Sequence, residues 1–421
     1  MDESVLDKLK ILAESAKYDV SCASSGTSRG HKGGAIGSAA GWGICHSFAE
    51  DGRCISLLKI MLTNYCRYDC AYCINRRSND IPRATLSVTE LVNLTIEFYR
   101  RNYIEGLFLS SGVVRNPDYT MERLVRIVKD LRTIHRFNGY IHLKGIPGAS
   151  PELIHEAGLY ADRMSVNIEI PNEKSLQTLA PEKDFQSVFT PMRHIQQGVL
   201  ESAEERKKYR SAPRFAPAGQ STQVIVGATS ESDKDILFLS SALYGRPTMK
   251  RVYYSGYVSV NTYDKRLPAL KQPPLVRENR LYQADWLLRF YQFKVDEIVD
   301  DSYPDLDLEI DPKLSWALRH PEQFPVDINK ADYEMLLRVP GVGVKSAKLI
   351  VASRRFSRLG FYELKKIGVV MKKAQYFITC KELPLQMQTV NELSPQRVRS
   401  LLLPKPKKKV DERQLLLDFG E

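Results

Sequence analysis

The sequence lacks a long apolar run and contains few cysteines. No stretch approaches the roughly 18 consecutive apolar residues of a membrane-spanning helix, which predicts a soluble, cytoplasmic protein. Seven cysteines among 421 residues are too few for the disulfide framework of a secreted domain, and six of them fall between Cys22 and Cys73. Thiols clustered in this way in a reducing compartment indicate metal binding.

The positive charge is unevenly placed along the chain. The formal net charge is +11, and residues 313–421 hold 21 Lys and Arg against 11 Asp and Glu. Nearly all of the surplus therefore lies in the last quarter of the chain. A basic segment of this kind favours either solubility or an anionic partner such as nucleic acid.

From about residue 55, apolar runs of strand length alternate with amphipathic helical stretches. This alternation predicts βα units around a parallel sheet, and six strands fit an open α/β barrel, a partial (β/α)6 TIM-like fold. The predicted strands are ISLLKIML from residue 55 to 62, GLFLSS at 106–111, YIHLKG at 140–145, MSVNIEI at 164–170, TQVIVGA at 222–228 and RVYYSGYVSV at 251–260.

The helical stretches carry their own start signals. Residues 87–102 begin with Ser87 and Glu90 at the spacing of a capping box, followed by an apolar stripe. Two similar stretches cover residues 120–135 and 278–293. The acidic, proline-containing segment 299–312 then predicts a domain boundary.

The strongest motif is CRYDCAYC at residues 66–73, directly after the first predicted strand. Its cysteines, Cys66, Cys70 and Cys73, have the spacing C-x3-C-x2-C. Three thiolates on one loop can hold three irons of a cubane [4Fe–4S] cluster and leave the fourth iron open. A zinc site with one missing ligand is the alternative, but structural zinc usually uses paired C-x2-C units, which are absent.

This motif resembles the signature of the radical S-adenosylmethionine (SAM) superfamily, in which an aromatic residue precedes the last cysteine, as Tyr72 does here. The resemblance implies two cofactors, a [4Fe–4S] cluster and S-adenosyl-L-methionine. The second of these would bind at the open iron of the cluster. It also implies one-electron cleavage of SAM to a 5′-deoxyadenosyl radical, and an electron donor such as flavodoxin or ferredoxin.

Further cofactor contacts are implied by the same resemblance. Tyr72 would lie near the adenine, and Ser110, Ser111 and Gly112 occupy the turn that receives the methionine amino group, although the usual Glu is missing. Asn167 and Glu169 share one face of a predicted strand, because alternate residues point to one side. Gly227 ends a strand that resembles the adenine-contacting segment. The polar strand residues could equally be ordinary strand-end residues. The predicted cofactor-binding residues are Tyr72, Ser110, Ser111, Gly112, Asn167, Glu169 and Gly227.

Three earlier cysteines, Cys22, Cys45 and Cys54, flank a Gly- and Ser-rich stretch at 24–43 that predicts a flexible loop. They could form a second metal site, with His31 or His46 as a fourth ligand, although their spacing matches no standard ligand unit. Burial as structural cysteines is the alternative. Cys380 stands alone in an apolar segment and is predicted to lie in the core.

Residues 327–355 resemble a helix-hairpin-helix motif, the core of a small all-α domain that binds nucleic acid. Gly341 and Gly343 would allow a tight turn that presents backbone N–H groups to a phosphate, with Lys345 and Lys348 adding charge. Residues 361–378 look like a second, degenerate copy around Gly368. A hairpin used only for protein packing is the alternative.

Taken together, four regions are predicted. They are an N-terminal Cys-containing segment at 1–54, a radical SAM partial barrel at 55–300, a helix-hairpin-helix domain at 313–385 and a basic tail at 386–421. The tail contains PKPKKK at 404–409 and ends in QLLLDFGE.

Stretches such as KYDVSCASSG, HLKGIPGASPELI and ADRMSVNIEIPNE resemble a radical SAM family assigned to DNA repair or modification and linked to a uracil-DNA-glycosylase-like protein. The resemblance implies an enzyme that acts on DNA, with that glycosylase-like protein as a partner. Two alternatives stay open, namely an RNA (tRNA)-modifying enzyme and a non-enzymatic DNA-binding iron–sulfur protein. Arg210, Arg214 and Phe215 could hold a flipped base or form an ordinary loop.

Overall fold

The computed structural model describes residues 3–18, 44–48, 54–260, 263–381 and 394–403. The chain divides into two compact units, Met1–Tyr282 and Gln283–Glu421. Among the helices of these described segments, none is long and apolar enough to cross a membrane.

The first unit is built on one open, curled sheet with the spatial order β1-β2-β3-β4-β5-β6-β7. Strand β1 pairs antiparallel with β2, and every later neighbour pair is parallel. The strands are β1 (Ile44–Phe48), β2 (Cys54–Met61), β3 (Gly106–Ser110), β4 (Tyr140–Lys144), β5 (Arg163–Ser165), β6 (Gln220–Val226) and β7 (Met249–Gly256). Each of the six predicted runs contains a strand, although β5 covers only the start of the run predicted at 164–170. Strand β1 is an addition that the sequence pattern did not indicate.

Helices connect the parallel strands, as the alternating pattern predicted, and two further helices lie before β1 and after β7. They are α1 (Glu3–Ser15), α2 (Val88–Arg100), α3 (Pro117–Thr133), α4 (Pro151–Tyr160), α5 (Glu173–Leu179), α6 (Phe185–Lys208), α7 (Asp233–Tyr244) and α8 (Leu275–Phe290), with a 3-10 turn at Ala16–Tyr18. The capping box at the start of α2 is confirmed, because Ser87 Oγ accepts from Glu90 N and Glu90 Oε2 accepts from Ser87 N. Helix α3 begins three residues earlier than predicted, since Asn116 caps it and Pro117 fills its first position.

Parallel pairing explains where a site can form in this unit. Strand β3 is buried along its whole length, as expected for a parallel strand covered on both faces. The carboxyl ends of β2 to β7 meet at one edge of the sheet, and the loops that follow them can place side chains from distant sequence positions together. The cysteine motif lies in the loop after β2.

The second unit is mostly helical. Its elements are α9 (Val295–Ile298), α10 (Pro312–Arg319), a 3-10 turn (Pro321–Gln323), β8 (Val326–Asp327), α11 (Tyr333–Arg338), α12 (Val344–Ser353), α13 (Phe361–Ile367), α14 (Met371–Ala374), β9 (Ile378–Thr379) and α15 (Pro395–Leu402). Strands β8 and β9 form a two-residue parallel pair.

The boundary predicted at 299–312 does not separate the units, because the division falls within α8. The acidic residues of that segment pair with basic residues of the second unit instead. Asp300 binds Arg319 at 3.0 Å, and Asp311 binds Lys373 at 2.6 Å. Electrostatic pairing therefore makes the predicted connector part of the C-terminal unit.

The predicted tail at 386–421 is also partly structured. Its residues 395–402 form α15, whose Arg399 pairs with Asp307 and with Glu309. Three other predicted segments lie outside the described residues, namely the loop at 24–43, the basic stretch at 404–409 and the terminal QLLLDFGE.

Candidate cluster and cofactor site

The three motif cysteines converge on one cavity at the carboxyl edge of the sheet. Cys66, Cys70 and Cys73 all line it, with Cys70 buried and the other two half-buried. The loop that carries them follows β2 closely, and Ala71 N donates to Leu179 O at 2.7 Å. The predicted grouping of the three thiols is therefore found in the structure.

The local environment of the sulfur atoms fits an iron cluster. Val113 N lies 3.4 Å from Cys66 Sγ, and the backbone N–H of Asn75 donates to the thiol of Cys73. Backbone hydrogen bonds to cysteine sulfur are a usual feature of iron–sulfur sites. Burial raises the pKa of both Cys70 and Cys73, that of Cys73 to about 12. Buried thiolates need a cationic partner, and iron supplies one.

The arrangement does not suit a single metal ion. Within the described part of the chain, no three His, Cys, Asp or Glu side chains come close enough together to hold one ion. A cubane cluster requires no such convergence, because each cysteine binds a different iron atom. Three thiols around one cavity are the donor set that a cubane cluster with one open iron requires.

Arg83 holds the cluster loop in shape. Its guanidinium donates to four backbone carbonyls, those of Asn64, Asn75, Arg76 and Asn79, at distances from 2.5 to 2.9 Å. A planar guanidinium with five N–H donors suits this task. These four hydrogen bonds consequently hold the backbone path of the loop that carries the cysteines.

A second arginine ties the same loop to other parts of the unit. Buried Arg76 forms a bidentate pair with Asp69 at 2.7 and 3.1 Å and a further pair with Asp264 at 2.7 Å. The hydrogen bonds from Arg76 hold the pKa of Asp69 well below its usual range. Arg266 also binds Asp264, so the loop is anchored to the segment after β7.

A polar cluster forms part of the wall of the same cavity. Asn167 Nδ2 donates to Glu169 Oε1 at 3.2 Å and to Gln223 Oε1 at 3.3 Å, and Lys144 Nζ lies 3.9 Å from Glu169. Glu169 adopts a left-handed conformation with φ of 63°, which is strained for a residue other than glycine. Strain of this kind at a cavity wall is typical of a binding site.

Two buried polar atoms in the lining have no hydrogen-bond partner among the described residues. The hydroxyl of Tyr72 and Oδ1 of Asn75 are both fully buried, and neither makes a hydrogen bond to a described residue. Lys183 Nζ lies 5.8 Å from the centre of the Tyr72 ring. Because unsatisfied buried polar groups cost free energy, these atoms fit a polar ligand such as SAM.

Five of the predicted cofactor residues line the cavity, and the other two do not. Tyr72, Ser111, Gly112, Asn167 and Glu169 line the cavity with the cysteines. Ser110 is buried just behind the lining, and its hydroxyl makes no bond to a described residue. Gly227 has φ of 84° and does not line the cavity. A Cβ atom added to Gly227 would lie 3.0 Å from the side chain of Pro274. Its cofactor role stays a prediction.

Gly112 is needed for close packing of the cluster loop. A Cβ atom on this residue would lie 2.3 Å from the carbonyl oxygen of Tyr65, and Gly112 N donates to Thr63 O at 2.8 Å. The turn after β3 can therefore press against the residue that precedes Cys66 only because no side chain is present.

Sequence reasoning gave no role to several polar residues of the lining, and four of them carry an amide or an ammonium group. They are Asn75, Lys144, Lys183 and Gln223. Lys144 could have been found, because it ends a predicted strand at the catalytic edge. Lys183 follows α5 and has no local signal, since only the fold brings it to the thiols.

The second metal site stays a prediction. Cys22 lies outside the described residues, and the side chain of Cys54 is not described. Cys45 is half-buried in β1, where it pairs with Leu57 along the backbone, whereas Cys54 pairs with Phe48. Cys380, predicted to lie in the core, is half-buried after β9.

One predicted substrate contact is wrong. Phe215 is 3% exposed, and its ring fills the space beside Gly158 and Gly198, where a Cβ would come within 2.1 and 2.6 Å of it. It therefore packs in the core between α4 and α6. Arg210 and Arg214 are exposed nearby.

The predicted hairpin residues lie in two related turns of the second unit. Gly341, with φ of 90°, lies between α11 and α12, and Gly368, with φ of 92°, lies between α13 and α14. Val370 N donates to Gly341 O at 2.9 Å, and Ser346 Oγ lies 3.4 Å from Ile367 O. Each turn therefore contacts the other pair of helices. Gly343 caps α12, and Lys345 and Lys348 are exposed on it.

Comparison with known proteins gives a family match over residues 60–237, to the Radical SAM superfamily. No curated protein sequence matches the chain. The fold is similar to HydG, a maturase of the [FeFe]-hydrogenase, at 15% identity and a TM-score of 0.41, over 54% of this chain and 48% of that one. It is also similar to methylornithine synthase (PylB), at 15% identity and a TM-score of 0.41, over 55% and 61%.

A third similar structure is coproporphyrinogen III oxidase (HemN) from Escherichia coli, a radical SAM enzyme. Its identity is 13% and its TM-score 0.34, over 61% of this chain and 56% of that one. The chain thus spans about half to three fifths of each of these structures. The family match contains all three motif cysteines and five cavity-lining residues predicted from sequence, and it confirms the predicted enzyme class and cofactors. The chain carries a Radical SAM superfamily domain at residues 60–237, which indicates a radical SAM enzyme, and members of this superfamily bind a [4Fe–4S] cluster and SAM.

Proposed function

We propose that this radical SAM enzyme acts on nucleic acid, with DNA as the substrate, in a repair or modification reaction. The observation that carries the proposal is the pair of glycine turns at Gly341 and Gly368, each followed by a helix with at least one exposed lysine. Two such turns packed against one another support a tandem helix-hairpin-helix that grips a phosphate backbone.

The charges around the turns support the same proposal. Lys345 and Lys348 are exposed on α12, and Lys372 is exposed on α14. Contacts to phosphate from lysines bind nucleic acid without reading its sequence and weaken steeply with salt. One backbone group is already used, because the hydroxyl of Tyr291 accepts from Val344 N. The lysine side chains and the remaining N–H groups would therefore make the contacts.

In the catalytic unit, each group of residues has a separate task. Cys66, Cys70 and Cys73 would hold three irons and leave the fourth for SAM. When bound, the cluster and SAM supply hydrogen-atom abstraction that begins with one-electron reduction. The polar wall formed by Lys144, Asn167, Glu169 and Gln223 offers donors and acceptors for the charged methionine group and the ribose.

The cavity also sets a requirement on the substrate. Residues such as Ile146, Tyr257 and Val260 line it beside the cysteines, and Cys70 is buried there. A base within a duplex could not reach such a site, so the target nucleotide has to be flipped out or single-stranded. An RNA substrate meets the same requirement, and tRNA is therefore the second candidate.

Binding measured across a salt series tests the choice of substrate. Full-length protein is titrated against labelled duplex DNA, single-stranded DNA and tRNA by fluorescence anisotropy. We expect tighter binding to DNA, and we expect Lys345→Glu with Lys348→Glu to weaken it at least about tenfold and to lower the salt slope by about 2. The matched control, Lys294→Glu with Lys330→Glu, changes two exposed lysines away from the turns.

The outcomes separate the candidates. Tighter binding to tRNA than to either DNA would favour the RNA-modifying enzyme. Equal losses in the test and control variants would show that net charge alone binds the nucleic acid, and the turns would then have a packing role only.

A further inference from the structure

Helix α12 carries an exposed stripe that runs from the first glycine turn to the loop beyond the helix. We name it the α12 stripe. Its members are exposed and lie three or four residues apart, which places them on one face of a helix. They are Lys345, Lys348, Leu349, Ala352, Arg355 and Phe356. Arg354 N donates to Ile350 O at 3.0 Å, which continues the helical path past Ser353, and the stripe is therefore continuous as far as Phe356.

Phe356 ends the stripe and has almost no contact with the rest of the unit. It is 90% exposed, although burial of a phenylalanine ring normally stabilises a folded chain. Arg355 and Arg358 are exposed on either side of it, and neither forms a hydrogen bond or an ion pair with another described residue. The loop thus presents an aromatic face and two guanidinium groups to solvent.

The loop that carries Phe356 is nevertheless held in place from behind. Arg354 Nη1 donates to Ala331 O at 2.6 Å. Leu359 N donates to Asn329 Oδ1 at 2.8 Å, and Asn329 Nδ2 donates to Leu359 O at 3.1 Å. A fixed backbone therefore holds the exposed ring, so a ligand that binds it meets little cost of ordering the loop.

Charge further restricts what can bind along the stripe. Residues 340–362 contain five Lys and Arg and no Asp or Glu. The next carboxylate along the chain, Glu363, is already used, because its Oε2 accepts from Gly360 N at 2.8 Å. The stripe is complementary to a polyanion that also carries flat apolar faces, and a nucleic-acid strand has both.

We propose that the α12 stripe binds a DNA strand where it leaves a duplex, with an unpaired base stacked on Phe356 and the neighbouring phosphates on Arg355 and Arg358. The proposal rests on the proposed function, in which the turn at Gly341 grips the phosphate backbone. It narrows the substrate to DNA that has an unpaired stretch beside a duplex, such as an overhang, a gap or a bubble.

The length of the stripe sets the distance between the turn and the unpaired base. A helical rise of 1.5 Å per residue gives about 16 Å between Lys345 and Phe356. One strand of a duplex advances about 3.4 Å per nucleotide, so about five nucleotides cover this distance. The base on Phe356 is therefore expected about five nucleotides from the phosphate at the turn.

An intact duplex fits Phe356 less well. Its bases are stacked on one another, so the ring could reach a base only as a wedge that unstacks a base step. An unpaired base presents its face without that cost, and its stacking on an aromatic side chain tolerates any sequence. This tolerance matches the contacts from Lys345 and Lys348, which do not read sequence either.

The test compares the binding of full-length protein to three labelled DNAs by fluorescence anisotropy. The first is a duplex, and the second is the same duplex with an overhang of about eight nucleotides, which is long enough to reach Phe356. The third carries the same overhang in abasic form, which keeps the phosphates and removes the bases. The variants are Phe356→Ala and its conservative counterpart Phe356→Trp.

Tyr362→Ala is the matched control. Tyr362 is 64% exposed in the same unit, but it lies on α13, outside the stripe, and Lys366 Nζ lies 4.4 Å from the centre of its ring. One face of this ring is therefore already occupied. Thermal unfolding of each variant checks that the fold is kept.

We expect the wild type to bind the overhang at least about fivefold more tightly than its abasic form, because stacking of one base gives a gain of this size. Phe356→Ala should remove this preference, whereas Phe356→Trp and Tyr362→Ala should keep it. Duplex binding should be equal in all four proteins. Arg355→Gln with Arg358→Gln should lower the salt slope for the overhang by about 1.4, since each single-strand phosphate contact contributes about 0.7.

Several results would overturn the proposal. Equal affinity of the wild type for the overhang and its abasic form would remove the stacked base. An unchanged preference in Phe356→Ala would leave the ring to a protein partner. An equal loss of duplex binding in Phe356→Ala would identify a wedge within the duplex, and an equal loss in Tyr362→Ala would remove the special role of the stripe.

The same measurements separate this failure from that of the proposed function. A wild-type protein that binds none of the three DNAs would overturn both. Duplex binding that depends on Lys345 and Lys348, without any preference for the overhang, would overturn only the role of the α12 stripe.

Discussion

The cluster loop and the hairpin turns solve the same problem in different ways. Both are irregular segments that have to hold a fixed shape in order to meet a ligand. The cluster loop at 66–79 is held by side chains, since Arg83 binds four of the surrounding carbonyls and Arg76 pairs with Asp69 and Asp264. The turns at Gly341 and Gly368 take their shape from backbone conformation, with φ near 90° at both glycines, and the first turn gains one hydrogen bond from Lys313 Nζ to Val342 O.

The difference follows from what each segment presents. A cluster is bound by side chains, so the loop carries cysteines and takes its stability from arginines that occupy its carbonyls. A phosphate is bound by N–H groups and lysines, so the turns keep their backbone accessible and use glycine, which adopts positive φ at little cost. Substitutions should accordingly damage the two segments through different residue types.

The largest effect is expected at Arg83. In Arg83→Met, four carbonyls lose their donor, and because unsatisfied buried acceptors are costly we expect a loss of roughly 3 kcal/mol in the free energy of unfolding. Iron bound per chain after reconstitution should fall to less than about half, since the loop no longer holds the cysteines in place.

Urea unfolding and iron analysis measure these two effects. The control is Arg77→Met, which changes an exposed arginine of the same loop. Arg83→Lys should recover little, because an ammonium group cannot span four carbonyls. Wild-type iron content in Arg83→Met would show that the loop keeps its shape without the guanidinium.

A smaller effect is expected at Gly341. In Gly341→Ala, the new Cβ would lie 2.6 Å from Val370 O, at a φ of 90° that side chains rarely adopt. We expect a loss of about 2 kcal/mol in the stability of the second unit. Gly343→Ala is the matched control, since its nearest neighbour is 3.7 Å away, and it should cost less than about 1 kcal/mol.

Thermal unfolding of the full chain compares the two alanine variants. Equal melting temperatures would mean that the turn at Gly341 is not fixed by its glycine, and the contrast between the two segments would fail.

A third prediction concerns Lys313, whose side chain binds the backbone of the turn at Gly341. Its side chain is buried, Nζ donates to Val342 O at 2.6 Å, and it lies 4.7 Å from the ring centre of Tyr291. Burial lowers the pKa of Lys313 to about 7, with Asp311 acting against this shift and Lys373 and Arg338 adding to it.

The direction of the resulting pH dependence is fixed. Between pH 7 and about 10, the unfolded chain binds a proton at this lysine that the folded chain has released, so stability rises with pH. We expect a gain of up to roughly 1 kcal/mol for each pH unit from this group. Below pH 7, both states are protonated and the contribution becomes constant. Urea midpoints of wild type and Lys313→Met across this range measure the slope, and an equal slope in both proteins would refute the assignment.

Much of the fold could be predicted because it depends on local patterns. The six parallel strands follow from apolar runs, and α2 begins at the capping box of Ser87 and Glu90. Strand β5 is shorter than its pattern, ending at Ser165, since Glu169 adopts positive φ and Ile170 N donates to Ile168 O. Alternation of residue type predicts which residues share a face and does not predict where strand pairing stops.

The candidate site was predictable only where the functional residues lie close together in one segment of the sequence. The three cysteines are adjacent in sequence, so their spacing predicts their function. Arg83 and Lys183 gave no signal, because the role of each depends on groups that only the folded chain brings around it.

The most direct test of the account uses the cluster itself. Anaerobically reconstituted wild-type protein is reduced with dithionite and measured by electron paramagnetic resonance with and without SAM, while 5′-deoxyadenosine is quantified. The account predicts a reduced [4Fe–4S] signal, a change of this signal on addition of SAM, and formation of 5′-deoxyadenosine. All three observations should be lost in Cys70→Ala and kept in Cys380→Ala. A Cys70→Ala protein that keeps the SAM-sensitive signal and forms 5′-deoxyadenosine would contradict the assignment of Cys66, Cys70 and Cys73 as the cluster ligands.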